Sequence, residues 1–277
     1  MQVLAPARQK FLQIAALPDD LWQGFHLWEG ALAIAWEEYP TIDLAIARQQ
    51  MDEMAAVLRS RLAEVSYPLR QVREVGNYLF EELGFRGNEA DYYHPRNSFI
   101  TDVLRDRLGI PISLSLLYLV LGERIGLPFA GIGLPGHFIV RPCHPDLEIF
   151  VDPFYGGEIL FPEDCGDRLR EIYRERVTLR PEYLQPVSGR QILERMLGNL
   201  KGIYLQRQEA RKALAATERL LALNQNAPQH WRDCGLLHYQ LADGMQAKRY
   251  LQEYLGLAPE APDREIVTAL VRELEGL

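Results

Sequence analysis

Apolar residues recur in the N-terminal part of the chain at spacings of three and four. Leu21, Phe25, Trp28, Leu32 and Trp36 fall on one helical face. Tyr39-Pro40 should end that helix, because a proline pushes the residue before it out of the α region. A second helix is expected over about 42–63, with Leu44, Met51, Met54, Leu58 and Leu62 as its stripe. A third, over about 69–83, stops at Gly84 as a C-cap. Residues 92–98 (YYHPRNS) read as a polar loop. Residues 112–125 are apolar on nearly all sides and predict a buried helix that ends at Gly126. Pro111 fits its first turn, where a missing N–H costs nothing. Three short β-type runs follow, at 130–133, 137–141 and 148–151, with Asp146 as a turn between the last two. Helices followed by an antiparallel meander predict an α+β core.

From about Gly189 the pattern is helical again and repeats at an offset of 34 residues. Leu205 pairs with Tyr239, Ala213 with Ala247, Leu223 with Leu257, Ala227 with Ala261 and Pro228 with Pro262. A small residue where two helices cross and a proline opening the next unit match the tetratricopeptide pattern. Two units and a closing helix fit, fewer than the roughly three repeats that stand alone, so this segment is expected to pack on the front domain. The division expected is a domain over 1–185 and a helical domain over 186–277.

With 277 residues, 48% of them hydrophobic, the chain can bury a large core without staples. Cys143, Cys165 and Cys234 are odd in number and show no metal-ligand spacing, so neither a structural metal nor a disulfide framework is expected. Free thiols fit the reducing cytoplasm. The net charge of −8 argues against a nucleic-acid partner. Arg168, Arg170, Arg174, Arg176 and Arg180 are interleaved with Asp167, Glu171 and Glu175, and read as a solvated helical face. Asp19 and Asp20 interrupt the N-terminal stretch, unlike the apolar core of a signal peptide. The longest apolar stretch, 110–121, is broken by Ser113 and Ser115 and is shorter than the ~18–20 residues that span a bilayer, so no membrane partner is expected.

The chemistry concentrates in GIPISLSLLYLVLGERIGLP, GLPGHFIVRP and EIFVDPFYGG. Ser113 lies at a helix start, His137 opens a strand, and Asp152 closes the next. A nucleophile at a helix N-terminus gains from the helix dipole, and a histidine oriented by a carboxylate is a general-base arrangement. The same residues have a structural reading: a first-turn serine is often a cap, and Asp-Pro after a strand is a common turn.

The order of buried helix, histidine on a strand and aspartate before proline resembles the transglutaminase-like superfamily, relatives of the papain-type cysteine proteases. More narrowly, LWEGALAIAWEEYPTIDL, YYHPRNSF, GIPISLSLLYL, GLPGHFIVR and VDPFYGG resemble a bacterial family of transglutaminase-like domains fused to tetratricopeptide repeats. Its members are often filed as homologues of an invasion-gene regulator. The resemblance implies a helical N-terminal part, a papain/transglutaminase-like α+β core and all-α repeat hairpins. It places His137 and Asp152 at the catalytic histidine and aspartate, and Pro111 at the nucleophilic cysteine. Cys143 and Cys165 follow the histidine and do not fill that role by alignment. Ser113, two residues along the helix, is rotated by about 200° from the wanted direction. Ser115 is only about 40° off but a full turn deeper.

The function expected is therefore that of a degenerate-site cytoplasmic protein that binds a protein or peptide partner, in a regulatory role and without a cofactor or metal. The binding surface would be the repeats or a cleft lined by Asn97, Ser98, His137 and Asp152. The alternative is a hydrolase or acyltransferase using Ser113, His137 and Asp152.

Overall fold

Pro111 presets the backbone of the helix around which the first part of the chain is organised. The computed structural model describes residues 5–22, 24–174 and 177–275. Two compact units divide the chain, Met1–Leu193 and Glu194–Leu277.

Four helices lead the first unit: α1 (Pro6–Ala15), α2 (Gly24–Glu38), α3 (Leu44–Leu62) and α4 (Pro68–Gly76). The last runs on into π-helical turns over Asn77–Glu82 and stops before Gly84, whose φ of 73° a side chain rarely adopts. The stripe expected on α2 needs correcting. Trp28 and Leu32 are fully buried, but Phe25 is 61% and Leu21 45% exposed. Leu21 lies before the helix begins, and Phe25 sits in its first turn. The buried surface runs instead around the alanine-rich middle, Ala31 to Ala35, where small side chains allow neighbours close on every side. Glu29 is buried there too, and two hydrogen bonds from Arg48 (2.8 and 2.9 Å) satisfy its carboxylate.

Two residues of β1 (Arg86–Gly87) pair in parallel with β2 (Leu108–Gly109). Between them the polar loop turns through a 3₁₀ segment, Pro95–Ser98, into α5 (Ile100–Asp106). Then comes α6 (Pro111–Arg124), with every residue from Pro111 to Gly122 buried. A helix apolar on all sides belongs inside a core, and its few polar groups must find partners there. Tyr118 donates to the Val72 carbonyl at 2.9 Å, and Ser115 donates to the Phe138 carbonyl at 3.3 Å.

Against α6 lies a five-stranded antiparallel sheet in the order β6-β5-β4-β3-β7. Its strands are β3 (Phe129–Ile132), β4 (Ile139–Pro142), β5 (Phe150–Asp152), β6 (Glu158–Leu160) and β7 (Pro186–Val187). Helix α7 (Pro162–Tyr173) closes over Ile132, Ile139, Phe150 and Leu160 with Cys165 and Leu169. Of the run expected to form a solvated face, Asp167, Arg168, Arg170 and Glu171 lie on α7, Arg174 follows its last residue, Arg180 precedes a 3₁₀ segment at Pro181–Leu184, and Glu175 and Arg176 are outside the described residues.

The division between the units falls within α8 (Gly189–Gln206). The second unit continues with α9 (Ala210–Leu223), α10 (Pro228–Gln240), α11 (Gly244–Leu257) and α12 (Arg264–Glu275), each of these packing on the next. Ala213 and Ala247, the small residues of the 34-residue repeat, are both fully buried. A Cβ on Gly235 would lie 2.6 Å from the Leu251 side chain and 3.2 Å from its backbone nitrogen, so α10 and α11 approach closely there.

Candidate active site

Gly136 (φ 69°) turns the chain between β3 and β4, and the next residue, His137, donates its backbone N–H to Leu134. This aims the imidazole at the end of β5. His137 Nε2 is 2.7 Å from Asp152 Oδ2, and the pair is 4% and 0% exposed. An ionised carboxylate only accepts, so Nε2 carries the proton of that bond. Asp152 Oδ1 accepts from the Phe154 N–H at 3.1 Å, and the Asp152 carbonyl accepts from Gly157. Those two bonds fold the strand end back over itself, helped by the positive φ of Gly156 and Gly157.

Arg168 is the component that sequence reading missed. Read as part of a solvated face, it is only 9% exposed. Its Nε stands 3.2 Å from Asp152 Oδ2, as an ion pair without hydrogen-bond alignment. Its other nitrogens reach Glu158 and Glu171, and its guanidinium lies 3.9 Å over the Tyr155 ring. Burial pulls the guanidinium pKa down, but Asp152, Glu158 and Glu171 outweigh burial and hold it above the ordinary value. Burial also raises the Tyr155 phenol, against the opposing pull of Arg168. The missed signal was positional. Arg168 shares a face of α7 with Cys165 and sits beside Leu169, both fully buried.

Phe154 and Tyr155 flank the histidine at ring-centroid distances of 6.1 and 5.9 Å. Phe154 fits because residue 87 is glycine, where a Cβ would lie 2.6 Å from its ring. Tyr92 meets the same ring edge-on at 5.9 Å, which ties the polar loop to the site.

The first turn of α6 completes the arrangement. Pro111 is its first residue. Ser113 is fully buried, and its hydroxyl donates to Asn97 O (2.6 Å), contacts Ile110 O (3.1 Å) and accepts from Ile110 N (3.0 Å). Asn97 is spent on its own loop. Its amide donates to the Asp91 and Tyr92 carbonyls and accepts from Asn88, and its side chain borders a hollow of about 180 Å³. Ser98 is fully buried, and its hydroxyl has no hydrogen-bond partner among the described residues. The structure thus joins His137 to Asp152 and ties Ser113 to Asn97 through backbone groups. Burial pushes the Cys165 thiol up to about 12, with Asp164 and Asp152 adding to it, and burial also raises Cys143. Among the described residues no cluster of His, Cys, Asp and Glu could hold a metal ion, and no helix is long and apolar enough to cross a membrane.

Residues 46–198 match the family model of the transglutaminase-like superfamily, and residues 200–272 match the tetratricopeptide repeat. The chain belongs to the transglutaminase-like superfamily, with a tetratricopeptide repeat region after the core. Within it, the chain is a member of the UPF0162 family. It is 36% identical to a UPF0162 protein of Xylella fastidiosa over 87% of each chain. It is 29% identical to one of Vibrio cholerae, over 93% of this chain and 96% of that one. It is also 36% identical to human F-box only protein 21, over 47% of this chain and 21% of that protein. No solved structure matches. A transglutaminase-like domain joined to tetratricopeptide repeats suggests a protein-binding role.

Proposed function

We propose that this chain is a cytoplasmic, non-catalytic transglutaminase-like protein that regulates by binding a protein or peptide partner. The observation that carries the reading is the first turn of α6. The resemblance to the superfamily puts the nucleophile's position at Pro111, the first residue of α6, which has no group to attack with. The nearest hydroxyl, Ser113, already bonds Asn97 and Ile110 in the manner of a helix cap. The His137–Asp152 pair then acts as a clasp. Asp152 fastens β5 to His137 and, through Arg168, to α7.

Treating the purified chain with a fluorophosphonate and with iodoacetamide, followed by peptide mass mapping, tests this. The expected result is no adduct on Ser113 and alkylation confined to Cys143. An adduct on Ser113 that disappears in His137→Ala, with the fold intact, would overturn the reading and favour the hydrolase or acyltransferase alternative.

A further inference from the structure

Strand β4 carries one cation on a face where its pattern calls for an apolar residue. Ile132 pairs with Ile139, and both belong to the apolar face that α7 covers. Two residues along each strand, the same face carries Ala130 and Arg141, which pair with one another. Val140 pairs with Val151, which sets Arg141 beside Phe150, and Phe150 pairs with Leu160. One row across the sheet is therefore Ala130, Arg141, Phe150 and Leu160. Phe150 and Leu160 are buried, whereas Arg141 is exposed.

A cavity of about 610 Å³ opens at this row, where Ala130 leaves space. Leu147, Phe150 and Leu184 give it apolar walls, together with Pro162, the first residue of α7. That volume suits a small organic ligand, and such sites are mostly apolar with a few placed polar groups. Donors are scarce in it. Pro142, Pro145, Pro162, Pro181 and Pro186 all line the cavity and have no N–H to offer. The N–H groups of Cys143, Leu147 and Gln185 are already bonded to the carbonyls of Pro128, His144 and Glu182. The Gln185 amide reaches the Pro181 carbonyl.

Donors for a ligand are therefore concentrated in Arg141 and His144. Arg141 forms no ion pair among the described residues. His144 Nδ1 accepts from the Asp146 N–H at 3.2 Å, so the neutral ring carries its proton on Nε2. Glu148, exposed, is the one carboxylate in the lining, and it pairs with neither. A guanidinium offers a planar fork that a carboxylate meets with two parallel hydrogen bonds.

We infer that this cavity binds a small aliphatic carboxylic acid, its chain against Leu147, Phe150 and Leu184 and its carboxylate on the Arg141 guanidinium. No residue of the clasp lines the cavity, so the inference goes beyond the reading of His137 and Asp152 and does not depend on it.

Calorimetric titration of the full chain with octanoate at pH 7.5 tests it. Octanoate should bind saturably at one site and slow alkylation of Cys143, an exposed thiol in the lining. Octanol, which keeps the chain and lacks the charge, should bind at least tenfold more weakly. Arg141→Gln removes an exposed, unpaired side chain, so it should melt as the native chain does while weakening octanoate roughly tenfold and leaving octanol unchanged. Glu148→Gln should tighten octanoate about twofold by removing a like charge. Ala130→Phe, which fills the row, should abolish binding of both. No saturable octanoate binding, or binding that Arg141→Gln leaves unchanged, would overturn the inference. So would tighter binding of an N-acetylated apolar hexapeptide with a free C-terminus, which would assign the cavity to the chain end of a partner protein instead.

Discussion

The two ends of α6 solve opposite problems. At its N-terminal end the chain buries a carboxylate, an imidazole, a guanidinium and a serine hydroxyl, and gives each of them partners. At its C-terminal end it leaves Glu123 exposed and an apolar-walled cleft open. Buried polar groups are costly unless satisfied, so the first end is expected to govern stability. Surface groups beside an open cleft contribute little to the fold, so changes at the second end should be mild.

Mutations at the two ends should therefore differ in size. Asp152→Ala should cost the most, about 3–5 kcal/mol, because His137 and the Phe154 N–H lose a buried acceptor and Arg168 loses one of its three carboxylates. Urea denaturation measures this, and a loss under about 1 kcal/mol would break the contrast. Ser113→Ala comes next, at about 1 kcal/mol, since the Ile110 N–H and Asn97 carbonyl lose a buried partner.

Cysteine chemistry sharpens the same contrast. With its thiol held above the ordinary value, Cys143 is mostly protonated at pH 7.5 and should alkylate more slowly than a free cysteine. Its rate should climb about tenfold per pH unit while the thiolate is the minor form. Cys165, its thiol pushed up to about 12 and its side chain buried, should react only after denaturation. Mass mapping of alkylated peptides between pH 7 and 9 follows both. The smallest effect belongs to Glu123→Gln, which should change stability by less than about 0.5 kcal/mol.

Periodicity alone exposed α6, because a run that is apolar on every side has only one place to go. Pro111, Gly84 and Gly126 marked helix ends, since their backbone preferences are local. The three runs that became β3, β4 and β5 were legible as well. What escaped depended on contacts distant in sequence. β7 joins β3 across more than fifty intervening residues through only two residue pairs, and its own two residues carry no periodicity. Arg168 sits in a charged run whose composition says solvent, and only the approach of β5 and β6 to α7 turns it inward. Phe25 erred the other way. An aromatic at helical spacing looked like core but lies in the first, uncovered turn.

The most direct test of the central claim is the stability of His137→Ala against the native chain in equilibrium urea unfolding. A clasp that holds β5 and α7 predicts a loss of about 1–3 kcal/mol, because Asp152 keeps its burial but loses a partner. Catalytic groups are commonly held at the expense of stability, and their removal leaves the fold as stable or more so. Unchanged or increased stability in His137→Ala would contradict the account and mark His137 as a residue kept for chemistry.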